Sequence, residues 1–160
     1  MRSLKVTLAV CAFAAALTAL PGAAIAQGYA LFGTWVLNVA KSKYDPGPAP
    51  KANTVTYEAS GAGIKVSSMG TDAEGKPTGV SITGSFDGKD SPATGSPDYD
   101  AVAFKKTGAS TMETTRMKGG KVVQNAKYVV SADGKTLTIT ATGTNAKGQK
   151  IHNVSVFDRK

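Results

Sequence analysis

The stretch DGKTLTITAT, residues 133–142, contains a clear strand pattern behind a glycine turn. Its apolar residues Leu137, Ile139 and Ala141 alternate with four threonines. Successive side chains of a β-strand point to opposite faces, so this alternation predicts a strand with one apolar and one polar face. The preceding Asp133-Gly134-Lys135 is typical of a hairpin turn, because Asp-Gly tolerates the positive φ that tight turns need. The stretch therefore predicts a hairpin within an antiparallel sheet.

The same pairing of a glycine turn with a short β-rich run recurs along residues 27–160. Strands are predicted near residues 31–39, 53–59, 63–69, 78–86, 100–106, 110–118, 121–131, 136–143 and 149–158. Hairpins in chain order make a meander, and closing the sheet removes its exposed edges. We therefore predict an all-β domain, an antiparallel up-and-down meander of about eight to ten strands that closes into a small barrel. An open β-sandwich is the alternative.

Two stretches depart from this pattern. Residues 41–51 contain Pro46, Pro48 and Pro50, which predicts an extended proline-rich connector instead of a helix. Residues 87–100 combine four aspartates with prolines and glycines and are predicted to be a long loop at one end of the barrel. Within it, Asp87 and Asp98 are interpreted as turn formers.

The N-terminus has the three parts of a secretory signal. Arg2 and Lys5 precede an apolar run at residues 6–20, and Ala24-Ile25-Ala26 supplies small residues at a cleavage site. The run is shorter than the ~20 residues that span a bilayer, so no transmembrane segment is expected after cleavage. We therefore predict a signal peptide over residues 1–26, cleaved after Ala26, and a single domain over residues 27–160. The expected location is the periplasm or the exterior of a bacterium.

Composition narrows the functional classes. The only cysteine, Cys11, leaves with the signal peptide, so the mature domain has neither disulfide nor thiol. Of the 19 basic residues two lie in the leader, and the remaining 17 against 11 acidic residues give a charge of +6. This charge favours anionic partners. The lysines are scattered over turns and are not interleaved with aromatic residues, so nucleic acid is not an expected partner.

The sequence shows no set of residues that could catalyse a reaction or hold a metal. His152 is the only histidine, and the mature domain has no cysteine beside it. Transition-metal sites need several such ligands, and a nucleophilic serine needs a histidine held by a third group. We therefore predict no metal, no cofactor and no enzymatic activity.

A family resemblance comes from the two ends of the domain. Gly33-Thr34-Trp35 resembles the Gly-x-Trp motif that opens lipocalins and other calycin barrels. The resemblance implies that Trp35 plugs the closed end of the barrel and that Arg159, near the C-terminus, covers it. Residues 33–43, together with the proline-rich connector, also resemble a group of uncharacterised secreted bacterial proteins.

Three residues are candidates for ligand contact. Arg116 lies on a run, residues 111–117, in which both faces mix polar and apolar side chains, so the pattern leaves its direction open. If Arg116 points inward, it is a permanent cation for an anionic ligand; if outward, it is a solvated surface residue. Tyr57 and Tyr128 either line a pocket or fill the core.

These observations predict a lipocalin-like binding module for a small apolar or anionic ligand, held inside the barrel without chemistry. The alternative is a basic protein of the cell envelope that binds an anionic polymer or lipid surface. The interior of the barrel distinguishes the two hypotheses. A cavity of roughly 300 Å³ or more favours ligand binding, whereas a barrel filled by its own side chains argues against it.

Overall fold

The computed structural model describes residues 28–160, which form a closed antiparallel β-barrel. Each strand pairs with the next in sequence, and the last pairs with the first. The strands are β1 (Gly33–Leu37), β2 (Ala52–Ser60), β3 (Gly63–Thr71), β4 (Pro77–Ser85), β5 (Asp90–Thr94), β6 (Ala101–Lys106), β7 (Thr111–Lys118), β8 (Lys121–Val130), β9 (Thr136–Thr144) and β10 (Lys150–Arg159). The predicted up-and-down barrel is confirmed, and the open sandwich is wrong. The predicted signal peptide and its cleavage site lie outside the described residues.

Strand β9 shows why the sheet closes. Leu137, Ile139 and Ala141 are buried inside the barrel, whereas the intervening threonines are not. Leu137 pairs with Phe157 of β10, and Ile139 pairs with Tyr128 of β8, so each apolar residue meets others on the same inner face. The alternation seen in the sequence therefore sets one inner face that continues from strand to strand.

Residues 87–100 are not one loop, and this part of the prediction is wrong. They contain β5, a five-residue strand that pairs with β4 at Ile82–Ala93 and with β6 at Pro92–Ala101. Proline and aspartate are unfavourable in strands, which is why the sequence did not indicate one here. β5 is extended because it pairs with β4 on one side and with β6 on the other. The first strand is also shorter than predicted, since Val39–Lys41 forms a turn of 3₁₀ helix.

The proline-rich connector, residues 41–51, packs along β10 and continues the barrel wall beyond the short strand β1. Lys43 exchanges two backbone hydrogen bonds with Val154, at 2.8 and 2.7 Å, and the carbonyl of Asp45 accepts one from the His152 amide at 2.7 Å. β1 itself pairs with β10 only over Trp35–Leu37. Residues 43–45 of the connector therefore cover a part of β10 that β1 does not reach.

One half of the barrel is filled by large side chains. This half lies at the end that carries the β2–β3, β4–β5, β6–β7 and β8–β9 turns. Its most deeply buried residues are Leu31, Trp35, Ile64, Phe104, Met112 and Leu137. The segment before β1 crosses this end, where the Tyr29 ring packs edge-on against Phe32 and Phe86 at centroid distances of 5.2 and 5.6 Å. We call this end the closed end and the opposite one the connector end.

Candidate ligand-binding cavity and barrel plug

The half of the barrel at the connector end is hollow. It holds a cavity of about 320 Å³, above the roughly 300 Å³ expected of small-molecule sites. Val80, Ile82 and Ile139 line this cavity, whereas Leu137 and Phe86 belong to the packed half. The barrel is therefore not filled by its own side chains, although its inner face is continuous.

Arg116 points into the cavity from β7. Its guanidinium donates hydrogen bonds to the Gln124 Oε1 and to the Tyr128 hydroxyl, both at 3.0 Å, and its central carbon lies 5.0 Å from the centre of the Tyr99 ring. The register between β7 and β8 shifts between Arg116 and Met117. Met112, Thr114 and Arg116 alternate inward with a period of two, but the β-bulge that follows also buries Met117. Polar and apolar residues therefore mix on both faces of the sequence pattern, which leaves the direction of Arg116 open.

The charge of Arg116 has no ionic partner within the described part of the chain. The three ion pairs of residues 28–160 join Lys41 to Asp158, Lys65 to Glu58 and Lys89 to Asp87, all on the surface. Burial disfavours the charged guanidinium, but the phenol oxygens of Tyr128 and Tyr99 outweigh it and raise the pKa of Arg116 above its ordinary value. The cavity therefore contains a permanent positive charge.

Tyr57 and Tyr128 lie together beside Arg116 and line the same cavity. Their rings meet edge to face, 6.3 Å apart and at 86°. Burial raises the pKa of Tyr57 well above 10, and the neighbouring Tyr128 adds to this effect while Arg116 opposes it. The Tyr57 phenol is therefore protonated at neutral pH. The Tyr128 hydroxyl accepts a hydrogen bond from Arg116, which leaves its own proton free to be donated.

Gln124 and Asp98 also belong to the site, and sequence reasoning missed both roles. Gln124 is 2% exposed, and its amide nitrogen donates to the Thr144 carbonyl at 3.2 Å and toward the Asp98 Oδ2 at 3.5 Å. The other oxygen of Asp98 accepts the Ala146 amide at 2.8 Å. Asp98 was interpreted as a turn former only, but the structure makes it part of the cavity wall. In the sequence, the one sign of a polar site here is Gln124 itself, a glutamine at an inward position of β8.

The opposite wall of the cavity is polar as well. The Tyr44 hydroxyl, from the proline-rich connector, hydrogen-bonds the Ser155 hydroxyl at 2.8 Å, and Ser68 donates to the Asn53 side chain at 2.9 Å. Burial raises the pKa of Tyr44, and its hydrogen bond with Ser155 partly offsets this. These groups hydrogen-bond one another. On the Arg116 side, by contrast, a positive charge has no ionic partner among the described residues.

The residues of the calycin resemblance lie at the closed end, away from the cavity. Trp35 is fully buried, and its indole N–H donates to the Leu31 carbonyl at 2.9 Å. The Arg159 guanidinium lies over the indole, 4.1 Å from the ring centre, as the resemblance implies. It donates to three backbone carbonyls, those of Ala30 (2.6 Å), Phe32 (3.0 Å) and Gly134 (2.6 Å).

Gly33 makes this plug possible. Its φ is +134°, and a Cβ built on it would lie 2.6 Å from an Arg159 nitrogen. Any other residue would both strain the backbone and displace the guanidinium. The Gly-x-Trp motif and Arg159 thus form one structural unit, and none of its three residues lines the cavity.

The remaining polar residues of residues 28–160 form no second site. His152 is exposed on the outer face of β10 and pairs with Thr142. In this part of the chain no three His, Cys, Asp or Glu side chains come together as a metal site. Of the helices described, none is long and apolar enough to cross a membrane. Neither a protein-family model nor a curated protein matches the chain.

Proposed function

We propose that this protein is a non-enzymatic, lipocalin-like binding module of the periplasm or cell exterior, which holds a small anionic ligand with an apolar body inside its barrel. The observation that carries the proposal is the Arg116 guanidinium, which lines a cavity of about 320 Å³ with no carboxylate of residues 28–160 in contact. A charge inside a protein is costly unless it is paired, so an anionic ligand that contacts Arg116 directly supplies an ionic contact that the free protein lacks.

The hydrogen-bonding capacity around Arg116 fits a carboxylate. A guanidinium has five N–H donors in a planar fork, and protein groups occupy two of them. The donors that remain suit a two-point contact with a carboxylate. Tyr128 has a proton to donate, and the Tyr57 hydroxyl makes no hydrogen bond with any described residue. Arg116 and Tyr128 thus offer adjacent donors to one anion, and Tyr57 lines the same cavity.

The cavity also has apolar walls, which support the second half of the proposal. Its walls include Val55, Val66, Ile82, Phe104 and Ile139. Burying a hydrocarbon group there contributes about 25 cal/mol per Å² of apolar surface. The ligand therefore pairs a charged head at Arg116 with an apolar body against these side chains.

Calorimetric titration tests this proposal directly. Hexanoate, octanoate and 3-phenylpropanoate are compared with the three alcohols of the same skeletons, on the wild type and on Arg116→Gln. The carboxylates should bind, and both the alcohols and the variant should lose about tenfold to a hundredfold in affinity, the value of a charge-assisted hydrogen bond. Lys127→Gln removes one exposed charge outside the cavity and should bind as the wild type does. Carboxylate binding that survives Arg116→Gln, or no binding at all, refutes the proposal.

Export is tested on the protein recovered from its own bacterium. The periplasmic or secreted fraction should contain a chain of residues 27–160 by intact mass, and native mass spectrometry of the same sample should show a retained small molecule. A full-length chain confined to the cytoplasm refutes the proposed location.

The second candidate function, binding to an anionic surface of the cell envelope, is favoured by the lysines of two neighbouring hairpins at the connector end. Lys118 and Lys121 flank the β7–β8 turn, and Lys147 and Lys150 lie on the β9–β10 turn, all exposed. Co-sedimentation with vesicles containing phosphatidylglycerol should then weaken steeply as salt shortens screening to ~8 Å, and changing the four lysines to glutamine should abolish it. Binding that is absent, or independent of salt, refutes this candidate.

A further inference from the structure

The cavity wall carries a negative charge beside the positive one. Asp98 and Arg116 both line the cavity, yet they form no ion pair, since such a pair would bring their atoms within 4.0 Å. From this arrangement we infer that the ligand is a zwitterion, whose carboxylate binds Arg116 and whose ammonium group binds Asp98. The inference rests on the proposed function and names the ligand class for the same site.

Gln124 keeps the two charges apart. Its amide oxygen accepts from Arg116 at 3.0 Å, and its amide nitrogen points toward the Asp98 Oδ2 at 3.5 Å. Gln124 is itself buried, 2% exposed, and its nitrogen is held by the Thr144 carbonyl. A side-chain amide accepts at one end and donates at the other, so it can lie between a cation and an anion without letting them meet. The two charges are therefore fixed as separate contact points.

Asp98 retains the capacity to bind a cation. A carboxylate has about four acceptor positions, of which the Ala146 amide uses one at 2.8 Å and Gln124 uses another weakly at 3.5 Å. The oxygen that braces Ala146 is Oδ1, whereas Oδ2 makes only the long contact. Asp98 therefore accepts the Ala146 amide through Oδ1, and its Oδ2 is available to an ammonium group.

Charge balance separates a zwitterion from a simple anion. A carboxylate alone would pair with Arg116 but would bring a second negative charge near Asp98, and like charges repel each other. An added ammonium group compensates Asp98, so that four charges balance within the cavity. The site should therefore prefer an amino acid over the same acid without its amino group.

Three compounds with one skeleton test this inference by calorimetry: phenylalanine, 3-phenylpropanoate, which lacks the amino group, and 2-phenylethylamine, which lacks the carboxylate. On the wild type, phenylalanine should bind about tenfold or more tightly than either of the others. Asp98→Asn keeps an oxygen for the Ala146 amide but removes the charge, so it should abolish the preference for phenylalanine by weakening phenylalanine and tightening 3-phenylpropanoate. Asp100→Asn is the matched control, because Asp100 lies in the same loop, bonds the Gly119 amide and does not line the cavity.

The outcomes distinguish this inference from the proposed function. If 3-phenylpropanoate binds through Arg116 as tightly as phenylalanine does, the proposed function stands and the zwitterion inference is overturned. An amine preference that persists in Asp98→Asn, or disappears equally in Asp100→Asn, also overturns the inference. If none of the three compounds binds, both are refuted.

Discussion

Removing Trp35 and Arg159, singly and together, measures what holds the closed end of the barrel. Trp35 is fully buried and donates a hydrogen bond to the Leu31 carbonyl, so Trp35→Ala should lower the free energy of unfolding by about 3–5 kcal/mol. Arg159 is exposed at its rim, which weakens its three hydrogen bonds to carbonyls, and Arg159→Ala should cost about 2 kcal/mol. Their direct contact at 4.1 Å is worth about 0.5–2 kcal/mol as a cation–π interaction.

The double variant should therefore lose less than the sum of the two single losses, by that same amount. Urea unfolding followed by circular dichroism is the suitable assay, because Trp35 is the only tryptophan and its removal abolishes the usual fluorescence signal. Arg159→Lys keeps the charge but cannot reach three carbonyls at once, so it should recover only part of the loss. Lys147→Ala, which removes an exposed lysine from the β9–β10 turn, should change stability by less than about 0.5 kcal/mol.

Additive losses from Trp35→Ala and Arg159→Ala would refute this reasoning. They would mean that the guanidinium stabilises the chain only through the carbonyls of Ala30, Phe32 and Gly134, and that its position over the indole contributes no free energy. A loss below about 1 kcal/mol for Trp35→Ala would refute the plug as a whole, since a buried tryptophan is among the most costly residues to truncate.

Three further changes test individual features by urea unfolding. The Thr114 hydroxyl is buried without a hydrogen-bond partner among the described residues, so Thr114→Val should raise the free energy of unfolding by about 1 kcal/mol. The control Thr142→Val, on the outer face, should not raise it. A lower free energy of unfolding for Thr114→Val would show that the hydroxyl has a partner. Gly33→Ala should cost about 1–3 kcal/mol and more than Gly148→Ala, because a φ of +134° is less accessible to alanine than +74° and only the Cβ at position 33 meets a neighbouring atom; equal costs would contradict both reasons. Burial raises the pKa of Tyr29 from 10.0 to about 12, so its contribution to stability is intact below pH 10 and is lost as the pH rises toward 12. Tyr29→Phe should make the free energy of unfolding fall less steeply over this pH range. An unchanged dependence of stability on pH would contradict the raised pKa of Tyr29.

The barrel follows from sequence because its determinants are local. Alternation in strands such as β9 and glycine turns such as Asp133-Gly134-Lys135 specify hairpins within about ten residues, and closure follows from the cost of exposed edges. Strand β5 was missed because its own residues disfavour a strand, and only the backbones of β4 and β6 impose one. Strand β5 is set by tertiary contacts with its neighbours, so no local sequence pattern indicates it.

The candidate site was predicted in part for the same reason. Tyr57 and Tyr128 lie on regularly alternating strands, whose period places both inward. Arg116 continues the inward alternation of Met112 and Thr114, but the polar Thr114 and the buried Met117 beyond the β7–β8 bulge hide that period in the sequence. The position of Asp98 depends on the Ala146 amide, 48 residues away in the chain. Contacts between residues so far apart in the chain leave no periodic pattern in the sequence, so one sequence alone does not indicate them.

The position of the cavity follows side-chain size along the inner faces of β8 and β9. On β9 the inward residues run from Gly143 and Ala141 to Ile139 and Leu137, and on β8 they run from Gln124 and Ala126 to Tyr128. Small and polar residues lie toward the connector end, and large ones fill the closed end. Stability thus comes mainly from one half of the barrel, and the space for a ligand lies in the other.

This division gives opposite expectations for the two arginines. Arg159 stabilises the folded chain, whereas Arg116 is a charge inside the barrel without an ionic partner, and removing such a charge is neutral or stabilising when its neighbours can still be satisfied. A glutamine at position 116 lies opposite Gln124 in the β7–β8 register and can hydrogen-bond it, so Arg116→Gln should change the free energy of unfolding by less than about 1 kcal/mol, while it abolishes anion binding. Combined with Arg159→Ala, its effect should add within about 0.5 kcal/mol, because the two sites share no contact. If Arg116→Gln instead lowers stability by about 2 kcal/mol or more in urea, Arg116 serves the fold, and a purely structural role replaces the ligand-binding one.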